Sequence, residues 1–132
     1  FIASEASAPV FDDISFDIVF SHSVFQYFPN LDYANTVIER WCKNIKQGGM
    51  LVLLDLNDKN NEDNYHRERM LAYTSPDDYY DNYKGLEHLF FDKGNLVSKL
   101  KACGMTSIEY FDHAVTDYGN AKFRFNISCV KA

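Results

Sequence analysis

The chain has 132 residues, 46% apolar and 24% charged, with 19 acidic against 13 basic side chains and a net charge of -6. That balance excludes disorder, collagen-like repeats and low complexity, and an acidic chain lacks the basic footprint that nucleic acid or an anionic membrane surface requires. No apolar run nears the roughly 18 residues needed to cross a bilayer, and no basic start followed by an apolar stretch reads as a signal peptide.

The opening Phe1-Ile2-Ala3-Ser4, without an initiator Met, reads as the interior of a longer chain. Residues 16–20, Phe-Asp-Ile-Val-Phe, form a short apolar run with β-branched members, the pattern of a parallel strand buried on both faces. A polar and aromatic turn follows from Ser21 to Asn30. Leu31, Ala34, Val37, Ile38, Trp41 and Ile45 then recur at spacings of three and four, which predicts a helix with one apolar stripe. Asn30 or Asp32 caps its start, and Gly48-Gly49 is expected to stop it. The run from Met50 to Leu56 predicts a second strand, so strand, helix and strand form a βαβ unit.

Residues 57–91 break this rhythm and read as an insertion or lid within a single domain, 1–132. A helix is expected over 62–73, followed by an Asp-rich segment crowded with Tyr79, Tyr80 and Tyr83. Asp92 caps a last helix that carries Leu96, Val97, Leu100 and Cys103 and ends at Gly104. Residues 105–112 and 122–131 predict strands, and the Asp117-Tyr118-Gly119-Asn120 turn between them argues for an antiparallel hairpin. Cys42, Cys103 and Cys129 are odd in number and lack metal-type spacing, so reduced thiols in a cytoplasmic protein are expected.

Several residues stand where ligands bind in open α/β sheets, beyond the carboxyl ends of strands. His22 follows the first strand, and an imidazole there is a candidate proton acceptor. It is either a base that polarises a substrate hydroxyl or a turn histidine tied to a carbonyl. Asp55, with Asn57 and Asp58 beyond it, either holds Mg²⁺ or a cationic substrate, or is a polar turn after a buried strand. We assign no residue to a metal. Within Tyr65-His66-Arg67-Glu68-Arg69, two arginines beside a histidine either hold a substrate carboxylate or phosphate, or form the charged face of a lid helix. His88 is either a second pocket base or structural. The tyrosines at 79, 80 and 83 either line an apolar acceptor site or cover the sheet.

The stretch from Glu5 to Asp17, Glu-Ala-Ser-Ala-Pro-Val-Phe-Asp-Asp-Ile-Ser-Phe-Asp, resembles class I S-adenosylmethionine-dependent methyltransferases. There an acid-Ala pair precedes a Leu-Pro-Phe turn, an Asp, and a Ser-Phe-Asp that opens the fourth strand. Asp17-Ile-Val-Phe-Ser-His-Ser-Val-Phe-Gln-Tyr-Phe-Pro resembles that strand and the turn after it. Lys46-Gln47-Gly48-Gly49 is similar to the family's Lys-Pro-Gly-Gly lead-in to the fifth strand. Phe90-Phe91-Asp92 through Gly104-Met105 is similar to its helix-to-sixth-strand ending. The likeness covers nearly the whole chain, and its order and spacing are more specific than any single motif. The Gly-rich loop after the family's first strand and the acid ending its second strand are absent. The sequence therefore corresponds to the family's carboxyl-terminal part, the fourth to seventh strands, with at most the end of the third at Phe1-Ile2. Pro9-Val10 replaces Leu-Pro, and Gln47 replaces the usual Pro.

The resemblance implies a partial α/β Rossmann-like methyltransferase sheet, with parallel strands 16–20 and 50–56. The last strand is expected to insert antiparallel between the family's fifth and sixth. The cofactor implied is S-adenosylmethionine, and the reaction is direct methyl transfer to a small-molecule acceptor. Glu5 would accept from the adenine amino group, and Ala6 would offer its backbone N–H to a ring nitrogen. Ser21 would line the methionine part, and Phe25 would pack on the cofactor or into the core. Tyr27 and Gln26 stand where the family places pocket residues. His22 is the catalytic candidate; Tyr27, His66, Arg69 and His88 are the candidates for binding substrate. The strand at 16–20 would lack its usual neighbour, so the chain alone is expected to be inactive and to pair as a homodimer through that edge. The rival reading is a non-catalytic methyltransferase-like scaffold. A response-regulator or flavodoxin-like chain is a third, opposed by the antiparallel hairpin.

Overall fold

The structure is a computed structural model that describes residues 3–8, 14–115 and 117–132. The proposed strand end at Phe1-Ile2 and the turn at 9–13 lie outside the described residues. Strand β1 (Phe16–His22) runs parallel to β2 (Ile45–Asn57), in register from Ile18 opposite Met50 to His22 opposite Leu54. Helix α1 (Leu31–Lys43) makes the crossover. Asn30 is extended, and its side chain accepts from the Tyr33 N–H at 2.8 Å, satisfying one of the helix's unpaired donors. Ala34, Val37, Ile38 and Cys42 form the stripe that α1 buries.

The expected glycine stop does not occur. The Asn44 carbonyl accepts from the Phe16 N–H at 2.8 Å, so the chain has already joined the sheet before Gly48. Ile45, counted in the helical stripe, is instead the first residue of β2 and is buried there. The two glycines serve a bulge, where the register jumps between Phe16 and Ile18. Gly48 takes φ 76°, and a Cβ at Gly49 would lie 2.9 Å from the carbonyl oxygens of Asp17 and Lys46.

Helix α2 spans Glu62–Met70, shorter than expected, and α3 (Pro76–Tyr83) was not predicted as a helix. Ser75 caps α3 by accepting from the Asp78 N–H at 3.1 Å, with Pro76 at its first position. Helix α4 (Lys93–Ala102) leads into β3 (Met105–Phe111), and β4 (Arg124–Lys131) closes the chain. The sheet order is β1-β2-β4-β3, with β4 antiparallel to both neighbours. This is the expected insertion of the last strand. β4 starts two residues later than predicted because Ala121–Phe123 form a 3-10 turn.

The main core joins Leu51, Leu53, Leu56, Phe125 and Ile127 of the sheet to Val37, Ile38, Leu96 and Leu100 of the helices. β1 departs from the expected burial on both faces: Ile18 is 60% and Phe20 69% exposed. Among the described residues β1 has a paired strand on one side alone. The 57–91 segment is not wholly appended. Phe91 belongs to the main core, while Tyr65, Tyr79, Tyr83, Phe90 and Phe123 build a second cluster beside it.

Candidate functional site

β1 and β2 end side by side, and two residues with left-handed backbone stand at their carboxyl ends. Ser23 has φ 55° and Asp55 φ 66°, conformations unfavourable for side chains other than glycine. Asp55 sits where the β2–β4 register shifts between Leu53 and Leu56, and the Asn126 side chain accepts from its N–H at 2.9 Å. Its carboxylate is 1% exposed. It accepts from Ser23 Oγ at 2.6 Å, from Tyr118 Oη at 2.9 Å and from the Arg124 guanidinium. Burial pushes this carboxyl up, but the Ser23 and Tyr118 hydrogen bonds and the Arg124 charge outweigh it and hold it below the usual carboxylate range. His113 Nε2 lies 3.7 Å away. It and Arg124 Nε are buried without a hydrogen-bond partner among the described residues. A strained, saturated carboxylate at a sheet's ligand edge is a feature of functional sites.

His22 is exposed at the same edge, with Nδ1 3.4 Å from Ser23 Oγ. Ser21 is buried and its hydroxyl has no partner among the described residues. Phe25 lies in the core at 1% exposure, with its ring against Phe28, Trp41 and Phe91, so of its two expected places it takes the core. Gln26 is buried beside Leu89, whose N–H it receives on its backbone carbonyl at 2.8 Å. Tyr27 is exposed and meets the His88 ring edge-on at 4.9 Å.

Glu5 and Ala6 are tied to α1. Glu5 Oε2 accepts from Tyr33 Oη at 3.0 Å, and the Ala6 carbonyl accepts from Trp41 Nε1 at 3.1 Å. They border a cavity of about 480 Å³ walled by Val19, Phe20 and Trp41.

In the second cluster His66 Nδ1 lies 2.6 Å from Tyr79 Oη, and His88 Nδ1 lies 3.0 Å from Tyr65 Oη. Burial pulls both imidazoles below the ordinary histidine value and pushes the Tyr79 and Tyr83 phenols up. His66 and His88 share a cavity of about 470 Å³ with Glu62, Tyr80, Asp81 and Tyr83. The arginines do not converge on it. Arg69 lies over the Tyr65 and Tyr83 rings at 5.1 and 5.7 Å, and Arg67 bonds Asn64.

Asp58 is taken by Lys93 at 2.8 Å and by the Asn60 N–H. Among the described residues no group of three His, Cys, Asp or Glu is placed to hold a metal, and no helix is long and apolar enough to cross a membrane. The three cysteines are unpaired, and burial pushes the Cys42 thiol up to about 12.

Residues 1–53 match the methyltransferase domain family. A 60-residue stretch, 46% of the chain, is 40% identical to chondramide synthase from Chondromyces crocatus, of which it spans 2%. A SAM-dependent methyltransferase from Methanosarcina mazei superposes with TM-score 0.62 at 21% identity, over 97% of this chain and 65% of that one. Magnesium protoporphyrin IX methyltransferase from Synechocystis, solved with bound S-adenosylhomocysteine, gives 0.66 at 12% identity, over 100% and 51%. An N-methyltransferase from Bradyrhizobium japonicum, also with S-adenosylhomocysteine, gives 0.62 at 14%, over 98% and 53%. The chain thus spans about half to two-thirds of the length of these solved relatives. Its fold is that of the class I S-adenosylmethionine-dependent methyltransferases.

Proposed function

From a chain with this fold, whose first part also matches the methyltransferase domain family in sequence, we propose S-adenosylmethionine-dependent methyl transfer to a small-molecule acceptor. The chain supplies the carboxyl-terminal portion of the catalytic domain. The observation that carries the reading is the strand order β1-β2-β4-β3, which sets the carboxyl ends of β1 and β2 together, with Ser21, His22 and Asp55 on them. The free thiols agree with a cytoplasmic protein.

The donor set suits the cofactor's adenine end. A flat ring with apolar faces and an exocyclic amine wants apolar walls and one acceptor. The cavity beside Glu5 offers Phe20 and Trp41 as walls, and Glu5 keeps one carboxylate oxygen without a partner among the described residues. Ala6 presents backbone alongside, and Ser21 faces the methionine part. When bound, the sulfonium supplies an activated methyl group. The protein aligns the acceptor with it, and His22 takes the acceptor's proton. Tyr27, His66, Arg69 and His88 form the acceptor side, with Arg69 stiffening the tyrosine wall.

Calorimetry with S-adenosylhomocysteine tests this, on the chain as given and on a form extended toward the natural amino terminus. Binding to the extended form is expected, weakened about tenfold or more by Glu5→Ala, as for a lost hydrogen bond to a charged group. Absence of binding to both forms would overturn the enzyme reading in favour of the scaffold.

A further inference from the structure

The contacts around Ser23 assign the hydrogens of three side chains. Asp55 is fully engaged as an acceptor, from Tyr118 Oη, the Arg124 guanidinium and Ser23 Oγ. An ionised carboxylate has no hydrogen to give, so the single hydroxyl hydrogen of Ser23 goes to Asp55 along the 2.6 Å contact. Ser23 Oγ is then left with acceptor capacity alone. The imidazole atom next to it is His22 Nδ1, at 3.4 Å, and that contact is a hydrogen bond only if Nδ1 carries the hydrogen. Which ring nitrogen of a histidine is protonated is set by the bond the other one makes.

We infer that Asp55 and Ser23 are positioning residues that hold His22 in the Nδ1–H tautomer, leaving Nε2 as the open lone pair at the ligand edge of the sheet. A free histidine side chain prefers the opposite tautomer, so this arrangement requires the relay. The backbone agrees with it. Ser23 and Asp55 both take left-handed conformations, at the ends of adjacent strands, and these conformations bring their side chains into contact. Arg124 and Tyr118 complete the relay by keeping Asp55 ionised and in place. The inference deepens the proposed role of His22 as base and rests on that reading for its catalytic meaning. The tautomer itself is read without donor or acceptor.

The test is a long-range proton–nitrogen NMR correlation on the ¹⁵N-labelled chain at about pH 8, where an ordinary histidine of pKa about 6.5 is neutral. His22 is assigned among the four histidines by its loss in His22→Gln. A pyrrole-type Nδ1 and a pyridine-type Nε2 are expected in the parent chain. Ser23→Ala removes the acceptor and should return His22 to the Nε2–H form. Asp55→Ala should do the same by a different route, since it removes the acceptor of the Ser23 hydrogen and frees the hydroxyl to donate to Nδ1. If Asp55→Ala fails to fold, Ser23→Ala carries the test. An Nε2–H tautomer in the parent, or an unchanged Nδ1–H tautomer in folded Ser23→Ala, would overturn the inference. An Nδ1–H tautomer together with unimpaired methyl transfer by the amino-terminally extended form carrying His22→Gln would support the relay and sink the base role alone.

Discussion

Asp55 and Arg124 are both buried, and a buried carboxylate that loses its cation is left with an uncompensated charge. Arg124→Leu should therefore cost about 3–5 kcal/mol, read as a lower urea midpoint. The same pair shapes the acid limb of stability. Because the Asp55 carboxyl is held below its ordinary 3.8, the folded state resists its protonation. Its contribution is complete above that value and is lost as pH falls through the lower folded one. His66 and His88 act at higher pH with the same slope. Burial lowers both below 6.5, so the unfolded chain binds more protons beneath that value. Stability should fall as pH drops from about 7 towards 5, and His66→Gln with His88→Gln should flatten that stretch of a pH series of urea midpoints.

Two elements depend on single residues at their ends. Asn30→Ala removes the side-chain cap of α1 and should cost about 1 kcal/mol in thermal melts. Gly49→Ala drives a Cβ into backbone oxygens on both sides of the bulge and should cost about 1–3 kcal/mol. The glycine pair also shows where reading by pattern stops. Gly after a helical stripe signals a cap, yet here the signal belongs to a bulge, because the pairing of Phe16 with Asn44 is invisible along the chain. α1, α4, β2 and β4 were legible because each buries an apolar stripe or run, and β1 because its run is apolar although Ile18 and Phe20 stay exposed. α3 was not, since its buried side is Tyr79 and Tyr83, polar by composition yet stacked at 5.3 Å. At the site, Asp55 could be read as a strand end. Its partners could not, because Ser23, Tyr118 and Arg124 stand 32, 63 and 69 residues from it.

At the scale of the molecule, β1 is an open apolar border of the sheet among the described residues. Ile18 and Phe20 stand exposed on β1, and an unpaired strand offers its backbone to another chain. We expect the chain alone to associate, the homodimer being the smallest product. Light scattering should show a mass above 15.3 kDa, and Phe20→Lys should return it towards the monomer. A monodisperse monomer of the parent chain would refute this. The stem of the 57–91 segment has a different consequence. The chain leaves at Asp58 and returns at Phe91 through a parallel bridge, with Phe91 N–H bonding the Asn57 carbonyl at 2.8 Å and Lys59 N–H bonding that of Phe91 at 3.1 Å. Those bonds fasten the two ends whatever lies between them, and doubling the length of a closed loop costs only about 0.6 kcal/mol. The helices between them are thus close to a cassette: a gene could exchange them, and with them the histidines and tyrosines they carry, provided the replacement again covers Phe123, which packs into their cluster from outside the segment.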